Sequence, residues 1–123
     1  MRLQLALNVP DLNAAIDFYS RMFATGPAKI RPGYANFAIT QPPLKLVLFE
    51  NGEGTHLNHL GVECETPDEM ELAARRLAGD PLLSEKRSAV NCCHSRQDKL
   101  WLTGPDELPW EWYRVLESAQ DAA

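Results

Sequence analysis

"RLQLALNVPDLNAAIDFYSRMF", residues 2–23, changes its period halfway along. Up to Val9 the apolar residues alternate. Leu3, Leu5, Leu7 and Val9 share one face of an extended chain, and Gln4, Ala6 and Asn8 share the other. Asp11 is a natural N-cap, and Leu12, Ile16, Tyr19 and Phe23 then recur at helical spacing. The stretch predicts a strand followed at once by a helix.

Residues 58–77, "NHLGVECETPDEMELAARRL", repeat the design. Leu60, Val62 and Cys64 fall on one face; His59, Gly61 and Glu63 fall on the other. "TPDE" at 66–69 is a capping box with Pro67 at the first helical position. Met70, Ala73, Ala74 and Leu77 form the apolar stripe, and Gly79 is the expected stop. Laying one copy over the other sets Gln4 on His59. Strand material follows both helices: "PAKIR", "YANFAI" and "LKLVLF" after the first, then "LLSEK", a stretch around Cys92, "DKLWLT" and "WEWYRVL" after the second. "PLKLV" at 43–47 overlays "PWEWY" at 109–113 and sets Lys45 on Glu111. The unit is βαβββ, twice. Two copies are too few for a solenoid. The expected fold is α+β: two paired modules, about 1–52 and 56–117, in one domain over 1–123, forming a curved mixed sheet with a central cleft.

Composition narrows the function. The 123 residues carry a formal charge of −5 at pH 7, which argues against nucleic acid and anionic membrane surfaces as partners. No run approaches the ~18 apolar residues of a membrane span, and the N-terminus lacks the continuous apolar core of a signal peptide. Three cysteines fit no disulfide framework, so a cytoplasmic, reducing location is expected.

Five residues stand out as candidate site residues. In "SAVNCCHSRQDKLWL", residues 88–102, Cys92 and Cys93 are adjacent. Their Cα atoms lie about 3.8 Å apart, too close for an unstrained disulfide. On a regular strand the two thiols would diverge. The polar neighbours Asn91, His94, Ser95 and Arg96 are turn-like and allow the thiols to converge on one soft atom; the plain alternative is one buried and one exposed thiol. Cys64 belongs to the helix-facing side and reads as a small hydrophobe. His59 has Gly61 and Glu63 as face neighbours, not aliphatics, so it lines the cleft or is a satisfied core histidine. Glu111 sits between Trp110 and Trp112, where burial demands a partner, either Lys45 or a bound cation. Gln4 enters through the repeat. Lys99 is an anion-binding cation or an edge lysine, and His56 reads as solvated.

The segments "QLALNVPDLNAAIDFYS", "PGYANFAI", "PPLKLVLFE", "NHLGVE", "CCH..QDKLWLTGP" and "PWEWY" resemble the vicinal oxygen chelate superfamily of glyoxalases, extradiol dioxygenases and bleomycin-resistance proteins. Within it they resemble the group of cadmium-induced and arsenic-resistance lyase proteins (CadI/ArsI-like). The resemblance implies a ferrous site of two histidines and a glutamate, beside a vicinal cysteine pair that holds a trivalent organoarsenical. His59 and Glu111 match two of the metal ligands, and Cys92 and Cys93 match the thiol pair. Gln4 stands where the first histidine is expected, and His94 where tyrosine is more usual. The implied cofactor is a divalent metal, Fe2+ first, with Zn2+, Ni2+ or Cd2+ as alternatives, and the implied partner is a small arsenical or a soft metal ion. A homodimer is the default. Three functions follow: oxygen-dependent cleavage of a carbon–arsenic bond, capture of Cd2+ without turnover, or a glyoxalase-like or antibiotic-sequestering role.

Overall fold

Strand β1 (Arg2–Val9) leads into helix α1 (Leu12–Met22), followed by β2 (Lys29–Arg31), β3 (Tyr34–Thr40) and β4 (Pro43–Glu50). The second copy runs β5 (Leu57–Glu63), α2 (Pro67–Ala78), β6 (Leu83–Cys92), β7 (Ser95–Thr103) and β8 (Pro109–Ser118). This computed structural model describes residues 1–52, 56–78, 83–92 and 95–118, with side chains over 1–52, 56–78 and 97–116. Gly79, Cys93 and His94 lie outside the described residues, and so does the side chain of Cys92. Among the described residues no helix is long and apolar enough to cross a membrane.

The chain forms two compact units, Arg2–Leu60 and, together with Met1, Gly61–Ala123. Their boundary falls inside β5. In the first unit the strand order is β2-β3-β4-β1-β5. β1 is parallel to β4, whereas β2, β3 and β4 form an antiparallel meander. The Asn8 N–H donates to the His56 carbonyl at 2.7 Å and ties β1 to the start of β5. In the second unit the order is β5-β8-β7-β6, with β6, β7 and β8 antiparallel and the Cys64 N–H donating to the Tyr113 carbonyl at 2.7 Å. Each unit thus uses the same order for corresponding strands. The result is a mixed α+β architecture built from the βαβββ repeat.

Each unit has its own core. In the first, Phe37, Leu46 and Leu48 are fully buried, packed with Val9, Leu12, Ala35 and Ile39 beneath α1. Tyr19 of α1 and Phe23, the residue that caps its C-terminus, stack with ring centroids 6.5 Å apart. In the second, Cys64, Met70, Ala73, Leu77 and Leu100 pack together. Cys64 therefore takes the helix-facing position that its alternation with Leu60 and Val62 requires. Burying one large aliphatic or aromatic side chain stabilises by about 1.5–3 kcal/mol, so these clusters fix which sheet face meets each helix.

Helix ends follow local chemistry. Asp11 Oδ1 accepts from the Ala14 N–H at 3.1 Å, and Glu50 Oε2 accepts from the Leu12 N–H at 2.8 Å. At α2 the capping box forms in both directions. Thr66 Oγ1 accepts from the Glu69 N–H at 3.2 Å, and Glu69 Oε1 accepts from the N–H groups of Glu65 and Thr66 at 2.8 and 3.2 Å.

One expectation changes. "LLSEK" and the stretch around Cys92 are a single strand, β6, at the end of its strand order. It carries register shifts against β7 between Leu83/Glu85 and Arg87/Val90. Charged residues and irregular register are the usual means by which an edge strand avoids pairing with another chain, so its polarity marks an edge and not a loop. Register pairs Cys92 with Ser95.

Candidate metal centre

In each unit the helix covers the apolar sheet face, and the opposite face carries polar side chains that are buried all the same. Gln4, Asn36 and His59 are buried in the first unit; Glu63, Gln97, Lys99 and Glu111 are buried in the second. Buried polar residues are the informative exceptions to apolar interiors.

Gln4 and His59 meet. The repeat had overlaid them as equivalents, and the structure sets His59 Nε2 3.1 Å from Gln4 Oε1, both residues buried. The other ring nitrogen, Nδ1, lies 2.8 Å from Asn58 Oδ1. Asn58 Nδ2 in turn donates to Asn8 Oδ1 at 3.0 Å. An imidazole that donates through Nδ1 presents a lone pair at Nε2. That lone pair then faces the carbonyl oxygen of Gln4, a second acceptor. Two acceptors turned toward each other, with one imidazole nitrogen already engaged behind, is a donor set suited to a divalent cation. The residues present therefore fit a metal. Among the described residues no three His, Cys, Asp or Glu side chains cluster as ligands, so the set depends on the glutamine.

Glu111 is on β8 in the second unit. Its Oε2 lies 3.0 Å from Lys99 Nζ, and the two side chains are 3% and 2% exposed. Lys99 is thus no edge lysine. The register explains the pairing: Trp101 is opposite Glu111 and Lys99 is opposite Tyr113, so Lys99 and Glu111 are diagonal neighbours on one face. Lys99 Nζ also lies 5.4 Å from the centre of the Trp101 ring. Sequence reasoning named Lys45 or a cation for Glu111 and overlooked Lys99, although counting back from the "GPDE" turn into both strands gives the diagonal.

The remaining candidates separate. Cys92 ends β6; its side chain and the whole of Cys93 lie outside the described residues. His56 is exposed, as expected. Burial pushes the Cys64 thiol above its ordinary range, and the nearby Glu69 charge adds to the effect. A thiol so shifted stays protonated and unreactive.

Comparison with known proteins agrees with this architecture. Residues 3–111 match the glyoxalase/bleomycin resistance protein/dioxygenase superfamily. The chain is 54% identical to a trivalent organoarsenical cleaving enzyme of Thermomonospora curvata, over 99% of this chain and 82% of that one. It is also 54% identical to the cadmium-induced protein CadI of Mycobacterium bovis, over 97% and 79%. Among solved structures, a superfamily member from Vibrio splendidus 12B01 aligns with a TM-score of 0.54 at 15% identity, over 94% of this chain and 98% of that one; this likeness concerns the fold alone. With the paired βαβββ units, the buried polar sheet faces and a match spanning nearly its whole length, the chain belongs to the glyoxalase/bleomycin resistance protein/dioxygenase superfamily.

Proposed function

We propose that this protein is a metal-dependent carbon–arsenic lyase acting on trivalent organoarsenicals. The observation that carries the reading is the buried meeting of Gln4 Oε1 and His59 Nε2, in a chain 54% identical to a trivalent organoarsenical cleaving enzyme. Gln4, His59 and Glu111 would hold a divalent metal, with Fe2+ as the first choice. Ferrous iron, when bound, supplies the redox chemistry that lets oxygen take part in cleavage. Lys99 holds the Glu111 carboxylate in place. Cys92 and Cys93 would hold the arsenic of the substrate, because thiolates select soft atoms. A substrate fixed by its arsenic gains the rate advantage of proximity. A reducing cytosol keeps those thiols free.

The test is anaerobic incubation with Fe2+ and a trivalent methyl- or phenyl-arsenical, followed by oxygen. Release of inorganic arsenite is the expected outcome; full recovery of the organoarsenical sinks the lyase reading.

A second reading is capture of a soft ion such as Cd2+ without turnover. It is favoured by the equal identity to CadI. Tight Cd2+ binding with no arsenite released would select it.

A further inference from the structure

The hydrogen-bond chain behind His59 has a consequence for the ligand itself. We propose that Asn58 and Asn8 are positioning residues that lock the His59 imidazole in its Nδ1-protonated tautomer, so that the Nε2 lone pair is aimed at the Gln4 oxygen. The inference rests on the metal site proposed above, and it adds the two residues that prepare it.

Asn58 Nδ2 lies 3.0 Å from Asn8 Oδ1. Only the NH2 end of an amide can donate to an oxygen, so this contact orients the Asn58 side chain. Its oxygen is thereby turned to His59 Nδ1, at 2.8 Å. Carbonyl oxygens face both ring nitrogens and a neutral ring donates to only one of them; the Asn58 oxygen is the nearer, at 2.8 Å against 3.1 Å, so the hydrogen falls on Nδ1. In the neutral ring Nε2 then has none and is available as a ligand atom, 3.1 Å from Gln4 Oε1. Metal-ligating histidines commonly have their second nitrogen engaged in this way, and loss of the engaging group typically weakens metal binding about 10–100-fold. Asn58 itself is exposed, and it sits on β5 directly before His59. Its amide is not part of either core cluster, so replacing it need not unfold the protein.

The tautomer has its own spectroscopic signature, independent of any metal. Long-range 1H–15N correlation spectra of the metal-free full chain, labelled at histidine and recorded at mildly alkaline pH, report which ring nitrogen is protonated. His59→Gln assigns the signal. The parent should show protonated Nδ1. Asn58→Ala should shift the ring toward protonated Nε2 and weaken Co2+ binding, measured by calorimetry, about 10–100-fold. Asn58→Asp keeps an acceptor oxygen and should retain the parent tautomer. Asn8→Ala frees the Asn58 amide to rotate and should give a mixture, whereas Asn8→Asp should not. Protonated Nε2 in the parent, or an unchanged tautomer in Asn58→Ala, overturns the proposal. Protonated Nδ1 with no Co2+ binding in any variant upholds the lock and instead removes the metal reading.

Discussion

At the scale of single residues, Lys99 and Glu111 have the most to lose. Breaking a buried ion pair by removing one member costs about 3–5 kcal/mol. Lys99→Met should therefore lower unfolding stability in urea by that order, and the double variant Lys99→Met/Glu111→Leu should recover most of the loss. If Glu111 is a metal ligand, Lys99→Met should also gain more melting temperature from added Co2+ than the parent does; equal gains would take Glu111 out of the ligand set. Glu111 was legible in the sequence because a carboxylate between two tryptophans calls for a partner. Lys99 was not, because a lysine in an alternating strand looks the same whether its face is covered or open. Its burial, 2% exposed beside Glu111, tells the two apart. For the thiols, Cys92→Ser and Cys93→Ser should each cost nearly as much phenylarsine oxide affinity as the double variant, since either loss breaks the chelate. Cys64→Ala should lower stability and leave that affinity alone. Undiminished binding in the double variant would take the thiol pair out of the site.

At the scale of elements, the caps decide. α1 ends in a Schellman arrangement: the Ala24 N–H donates to the Arg21 carbonyl at 3.3 Å and the Thr25 N–H to the Ser20 carbonyl at 3.1 Å. Ala24 holds the left-handed position with φ 52°, which glycine accepts more easily. Ala24→Gly should raise stability by about 0.5–1 kcal/mol, measured by urea unfolding; a loss would mean that the alanine methyl packs usefully. Nothing in the composition of residues 20–25 announced this turn, because the glycine that signals such a stop is missing from it. The capping box of α2, by contrast, was plain in "TPDE". The Glu65 N–H, then that of Thr66 and the Met1 ammonium, hold the Glu69 carboxyl below its ordinary 4.5. Its contribution to stability is thus present above that value and is lost as the pH falls below it. Melting curves of parent and Glu69→Gln should converge on acidification. Thr66→Ala should cost about 1 kcal/mol. The edge strand β6 was misread as two pieces for a physical reason: an edge strand is polar by necessity, and polarity is also what a loop looks like.

At the scale of the whole molecule, the repeat carried the reading. Alternation at Leu3, Leu5, Leu7 and Val9, echoed fifty-five residues later, was enough to make Gln4 the counterpart of His59; that the two side chains meet at 3.1 Å is seen only in the structure. The metal that would sit there, and the thiols that would serve it, were legible only through resemblance, since no spacing in the chain encodes an ion. Gln4→His should tighten Co2+ binding, because imidazole is the better ligand for such ions; no gain even with Leu3→Asn added would place Gln4 outside the coordination sphere. Positions 4 and 59 are the same position in two copies of one unit. In a pair of identical chains they would have to carry the same residue. Within a single chain they are free to differ, and they do, as do their neighbours: the counterpart of Asn58 is Leu3, an apolar and 57% exposed side chain with no acceptor to offer a ring nitrogen. The imidazole stands in the copy that has a group to orient it, and the amide, which needs none, stands in the other. Two copies within one chain allow such a division of labour. A histidine introduced at position 4 would enter the half that lost, or never had, the means to aim it, and Leu3→Asn added to Gln4→His should supply them.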